Sequence, residues 1–95
     1  MKNDIVFKNN LKEKRNQKRI SQEELANMVG TTRQTIIAIE KNQFNPSAKL
    51  ALLICLVLDE KFENLFYFDK KKLLKLIINS FFILIIDDLQ YFQQP

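Results

Sequence analysis

Gln22-Glu23-Glu24-Leu25-Ala26-Asn27-Met28-Val29-Gly30-Thr31-Thr32-Arg33-Gln34-Thr35-Ile36-Ile37-Ala38-Ile39-Glu40-Lys41 is the stretch that decides the fold. Gly30 is the only glycine among 95 residues, and it stands between two short segments with helical apolar spacing. Two short helices that cross steeply and touch need a tight turn between them. Glycine takes up left-handed backbone angles there without steric cost. Ala26, four residues earlier, keeps the crossing close, because anything larger than a methyl group would push the helices apart. Leu25, Val29, Ile36 and Ile39 are spaced to fill the inside of the crossing. A lone glycine is a weak signal, whereas glycine, alanine and four apolar positions in register form a specific one.

The flanks extend the pattern. Ser21-Gln22-Glu23-Glu24 has the spacing of a capping box, in which serine and glutamate satisfy each other's orphan amides, and it starts a helix at Gln22 that runs to about Val29. Thr31 or Thr32 caps the next helix, which ends near Glu40. Residues 41–46 form a loop, in which Asn42 suits a left-handed position. Ser47 caps a fourth helix reaching about Leu58, and residues 62–66 make one further turn. Upstream, Ile5-Val6-Phe7 reads as an edge strand, and Asn9-Asn10 begin a helix to about Lys18. Phe7, Leu11 and the stem of Arg15 recur every four residues on one face. Phe66-Tyr67-Phe68 reads as a strand that pairs with residues 5–7 and joins the two ends of the domain.

Composition narrows the function. The chain is long enough for one domain with its own core, and one glycine and two prolines leave little turn chemistry for an all-β fold. The formal net charge is +4, and the first twenty residues hold seven basic against two acidic side chains. A basic face suits a polyanion, although a solvated helix face has the same composition. The chain has no histidine and no Cys, Asp or Glu cluster with metal-ligand spacing, so no metal, cofactor or catalytic residue is expected and the chain reads as a binding protein. The single Cys55 lies on an apolar run and fits a buried small hydrophobe. With no secretion-type apolar segment at the start, a reducing, cytoplasmic compartment is the expectation.

Residues 70–95 differ in kind. Three lysines precede an apolar stretch from Leu73 to Ile86, broken only by Lys75, Asn79 and Ser80. As a helix this stretch spans about 21 Å, short of the roughly 30 Å hydrocarbon core of a bilayer. It is too apolar to stand alone in water. Burial against the domain or a second subunit is the expectation, and a membrane segment is the less favoured reading.

The run from Phe7 to about Phe68 resembles the phage-repressor-like helix-turn-helix family, the group of lambda repressor and Cro. The resemblance rests on Ile20 to Ala26, Val29 to Ile36, Ile39 to Asn42 and Asn45-Pro46-Ser47. It implies a mainly α fold of five helices for residues 1–69, a DNA-binding domain, here with a short two-stranded antiparallel sheet joining its termini. Residues 70–95 form an apolar C-terminal extension outside the pattern. The resemblance further implies operator binding as a dimer, and a partly buried ion pair between Arg15 and Glu40.

The third helix is then the reader. With Ile36 and Ile39 inward, Arg33, Gln34, Ile37, Ala38 and Lys41 share the outward face. The N-terminal part of such a helix enters the major groove. Arg33 matches guanine O6 and N7, and Gln34 matches adenine N6 and N7. Thr32 and Thr35 either touch a phosphate or base edge or serve as helix caps. Ile37 either meets a thymine methyl group or packs against the fourth helix. Gln22, at a helix start with free amides, suits a DNA phosphate, and the family pattern places a phosphate-contacting glutamine there. Lys41, Gln43 and Asn45 either clamp the backbone on the other side or are plain surface.

The expected partners are double-stranded DNA and a second copy, with a dimer surface at Phe62, Leu65, Phe66 and Phe68 and a protein-binding role for residues 73–92. A sequence-specific transcriptional repressor is the leading function. An antitoxin whose extension binds a toxin is the alternative, and a membrane-tethered adaptor is disfavoured by the intact set Gln22, Arg33 and Gln34.

Overall fold

The computed structural model describes residues 6–93 along the backbone, with side chains described for residues 6–69 and 74–85. The elements are β1 (Phe7–Asn9), α1 (Leu11–Gln17), α2 (Gln22–Val29), α3 (Arg33–Glu40), α4 (Ala48–Leu58), α5 (Phe62–Leu65), β2 (Phe66–Phe68) and α6 (Lys70–Gln93). Among the described residues, contacts gather residues 7–67 into one compact unit and place residues 68–93 in a second.

Local chemistry accounts for the helix ends. Ser21 Oγ accepts from the Glu24 amide at 3.0 Å, and the Glu24 carboxylate accepts from the Ser21 amide at 3.3 Å, so the capping box is complete. Gly30 closes α2 at φ 76°, ψ 35°, and the next amide, of Thr31, bonds back to the Ala26 carbonyl at 2.9 Å. A Cβ at Gly30 would meet nothing within 4 Å, so the backbone angle demands glycine and crowding does not. Thr32 caps α3 and Ser47 caps α4 through hydroxyl acceptors.

The core is the inside of the helix crossing. Leu11, Leu25, Ile36, Ile39, Ile54, Leu58 and Leu65 are fully buried, joined by Ala26, Val29, Ala51, Cys55 and Phe66. Each buried large aliphatic side chain contributes about 1.5–3 kcal/mol relative to exposure. Cys55 is a buried free thiol in this core, and burial raises its pKa above 9.0.

β1 and β2 pair antiparallel and tie the ends of the domain together. Phe7 stacks on Phe66 with ring centroids 5.9 Å apart. Asn10 reinforces the junction. Its amide bonds to the Leu65 carbonyl at 2.9 Å, and its side chain accepts from the Tyr67 hydroxyl at 3.1 Å. The strand is therefore shifted from the expected 5–7. Val6 lies outside it, Ile5 lies outside the described residues, and Phe7 belongs to β1 rather than to the α1 face. The extension is one helix of 24 residues, about 36 Å long. Its large apolar side chains between Leu74 and Ile85 are exposed. No helix among the described residues is long and apolar enough to cross a membrane.

Candidate nucleic-acid interface

α3 divides its residues between two sides. Ile36 and Ile39 have no exposed surface, which locks the rotation of the helix. Arg33 and Gln34 are consequently exposed on the first turn, Lys41 is exposed just past the last, and Ile37 and Ala38 are half-buried between them. Thr32 is committed to its cap: its hydroxyl oxygen accepts from the Thr35 amide at 3.2 Å and lies 3.1 Å from the Thr35 hydroxyl.

The loop after α3 is held by its own backbone. Asn42 adopts φ 58°, and the Gln43 amide bonds to the Ala38 carbonyl at 2.9 Å. Gln43 and Asn45 are exposed there. Asn9 of β1 steadies this turn by donating to the Ile39 carbonyl at 2.8 Å and to Asn42 Oδ1 at 3.0 Å. Sequence reading treated Asn9 only as a helix-start residue. The thirty positions between Asn9 and Ile39 leave no local signal for this contact.

The beginning of α2 faces the beginning of α3. Arg15, Ser21, Gln22, Glu23 and Arg33 line an open cleft of about 550 Å³. Ser21 takes the Glu24 and Leu25 amides, so the Gln22 and Glu23 amides are the two at this helix start that no capping bond uses. The orientation of the Gln22 side chain follows from its neighbour. Gln22 Nε2 donates to Glu40 Oε1 at 3.1 Å, and a carboxylate only accepts, so the amide nitrogen must turn toward Glu40. Its second N–H and its carbonyl oxygen stay available to a ligand.

Glu40 is itself anchored. Arg15 Nε donates to Glu40 Oε2 at 2.9 Å and Arg15 Nη2 donates to Oε1 at 3.1 Å. The remaining guanidinium nitrogen binds the Ile20 carbonyl at 2.9 Å and Asn16 Oδ1 at 3.2 Å. The two side chains keep only 9% and 4% of their surface. One network therefore links α1, the start of α2 and the end of α3.

The four residues read as a dimer surface separate into two kinds. Leu65 and Phe66 are core side chains, 0% and 2% exposed, and the interior of a single chain consumes them. Phe62 and Phe68 are 42% and 44% exposed.

Two short helices joined by a left-handed glycine, the second presenting polar side chains from a buried apolar spine, define a helix-turn-helix protein. The Helix-turn-helix family model matches residues 11–65, and the chain belongs to that family, of the Cro and lambda-repressor type. The uncharacterized HTH-type transcriptional regulator YgzD of Bacillus subtilis is 45% identical over 65 residues, covering 68% of this chain and 98% of its own. A regulator of the same description from Archaeoglobus fulgidus is 46% identical over 63 residues, covering 66% of this chain and 89% of its own. The clp gene regulator ClgR of Corynebacterium glutamicum superposes with a TM-score of 0.53 at 17% identity, over 85% of this chain and 79% of its own, which shows the shared fold. The protein is thus a DNA-binding regulator of the helix-turn-helix class.

Proposed function

We propose that the chain is a cytoplasmic transcriptional repressor that binds a near-palindromic operator as a homodimer and reads it through the major groove with α3. One observation carries this reading: Arg33 and Gln34 stand exposed on the first turn of a helix whose opposite side is fully buried. That turn is the part of a recognition helix that meets base edges. Arg33 reads guanine and Gln34 reads adenine, each good bidentate pair being worth about 1–3 kcal/mol of discrimination. The Gln22 amide and the free amides at the start of α2 grip a phosphate on one side of the groove. Lys41, Gln43 and Asn45 grip the backbone on the other. Ile37, half-buried, meets a thymine methyl only at its exposed edge.

One module makes few contacts. Two copies present two reading helices about 34 Å apart, one turn of DNA. Phe62, 42% exposed, offers apolar surface to such a dimer. Selection of bound duplexes from a random pool tests the reading. The expected result is a two-fold symmetric site with guanine and adenine at fixed positions in each half. Recovery of unenriched sequence at physiological salt overturns it.

A further inference from the structure

The apolar surface of α6 has no place in the DNA-reading machinery. Nine large side chains between Leu74 and Ile85 are each 42–63% exposed. At roughly 200 Å² per fully exposed side chain they present on the order of 900 Å². A monomer rarely shows more than about 300–600 Å² of contiguous apolar surface, and a stable interface needs about 800 Å² from each partner. The six on one side of the helix, Leu74, Ile77, Ile78, Phe81, Leu84 and Ile85, carry on the order of 700 Å² of it, close to what one partner contributes to a standard dimer.

The pattern on the helix selects the occupant. Leu74, Ile77, Phe81 and Leu84 alternate by three and four residues, which is a heptad seam. Lys75 and Asn79, two of the three interruptions in the apolar stretch, fall on the side away from that seam. The third, Ser80, floors a hollow of about 310 Å³ walled by Leu76, Ile77, Phe81 and Leu84. Ile77, Ser80, Phe81 and Leu84 are spaced i, i+3, i+4, i+7, the diamond that receives a knob from a facing helix. Charge sets the direction. The sequence carries lysines at 70, 71, 72 and 75 near one end of α6 and aspartates at 87 and 88 near the other. A parallel pair would put like charges together at both ends. An antiparallel pair that sets Ile77 against Phe81 of the second copy, and Leu74 against its Leu84, also sets position 70 opposite 88 and 71 opposite 87.

We infer that α6 pairs antiparallel with α6 of a second copy, in the register that places Ile77 against Phe81. The arrangement is two-fold symmetric, as a closed homodimer requires. It rests on the homodimer of the proposed function and names the element that makes it.

Light scattering on the eluting full-length chain, without DNA, tests the pairing. The expected mass is twice the 11.3 kDa of one chain. Phe81→Asp, in the seam, gives the single-chain mass, while Phe82→Asp, on the outer side, keeps the doubled mass, with helix content by circular dichroism unchanged in both. Asp87→Lys with Asp88→Lys weakens the dimer about tenfold at low salt, and adding Lys70→Asp with Lys71→Asp restores it to within about threefold. A wild-type chain of single mass overturns the inference, as do equal effects at 81 and 82, failure of the charge exchange, or a monomer that binds anionic phospholipid vesicles. A single-mass chain that still selects a DNA half-site removes the α6 pairing while leaving the DNA reading in place.

Discussion

Arg15 and Glu40 meet through two parallel hydrogen bonds of 2.9 and 3.1 Å, and together they keep almost no contact with solvent. The pair joins the first helix to the last turn of the reading helix, and through Glu40 it also holds Gln22. The ion pair and the side chain proposed to grip a phosphate are therefore coupled at one carboxylate. Removing one partner leaves the other charged and buried, which costs about 3–5 kcal/mol. Glu40→Ala should lower the melting temperature by more than about 10 °C, since each kcal/mol shifts a domain of this size by about 4–8 °C. Arg15→Met with Glu40→Leu should lower it less than either single change does. An unchanged melting temperature in Glu40→Ala would contradict the burial.

Gly30 and Asp59 share left-handed angles, φ 76° and φ 52°, and end α2 and α4 respectively. Opposite substitutions should have opposite signs. Gly30→Ala introduces no clash but forces an L side chain into the left-handed region, a loss of about 1–2 kcal/mol. Asp59→Gly relieves that strain and removes a negative charge from a helix C-terminus, a gain of about 0.5–1 kcal/mol. Thermal melts of the two variants check the pair of signs.

The helix crossing was legible because each signal there is local: a capping box within four residues, one glycine at a helix end, and apolar spacing within two turns. The exposure of Arg33 and Gln34 followed from the same spacing, since burying Ile36 and Ile39 fixes the rotation of α3. The β1 register was not legible. Apolarity favoured residues 5–7, but the hydrogen bond from the Asn10 amide to the Leu65 carbonyl and the stacking of Phe7 on Phe66 set the pairing two residues later. Leu65 and Phe66 were misassigned to a surface for a related reason: an aromatic run shows apolarity without showing which side chains face inward. The grip of Glu40 on Gln22 joins residues 18 positions apart, and no pattern of spacing announces it. In α6 the apolar composition is legible, while the continuity of one helix over 24 residues is not.

Cys55 gives a pH signature. Burial is the main cause of its raised pKa, with Glu63 and Glu60 adding to it and a backbone hydrogen bond opposing. The unfolded chain releases this proton more readily than the folded one. Stability is therefore complete below the ordinary thiol value of 9.0 and falls as pH climbs toward the folded-state value. Denaturant midpoints between pH 7 and 10 should decline in the native chain and decline less in Cys55→Ala, which should itself be less stable at pH 7. Alkylation of Cys55 should be slow in the folded protein and fast in denaturant.

Arg33 and Lys41 stand at opposite ends of the reading helix and should fail differently. In the proposed reading Arg33 addresses a base edge, so Arg33→Ala should cost about 1–3 kcal/mol on the selected operator and much less on unrelated DNA. The preference at one base position in each half-site should relax with it. In the same reading Lys41 addresses the backbone, where contact energy comes from released counterions and ignores sequence. Lys41→Ala should weaken operator and unrelated DNA by a similar factor. It should also make the slope of log affinity against log salt shallower by about one per subunit. Titrations of both variants on both duplexes at several salt concentrations separate the roles. If Lys41→Ala relaxed base preference while leaving the salt slope intact, the orientation of α3 in the groove would have to be reversed.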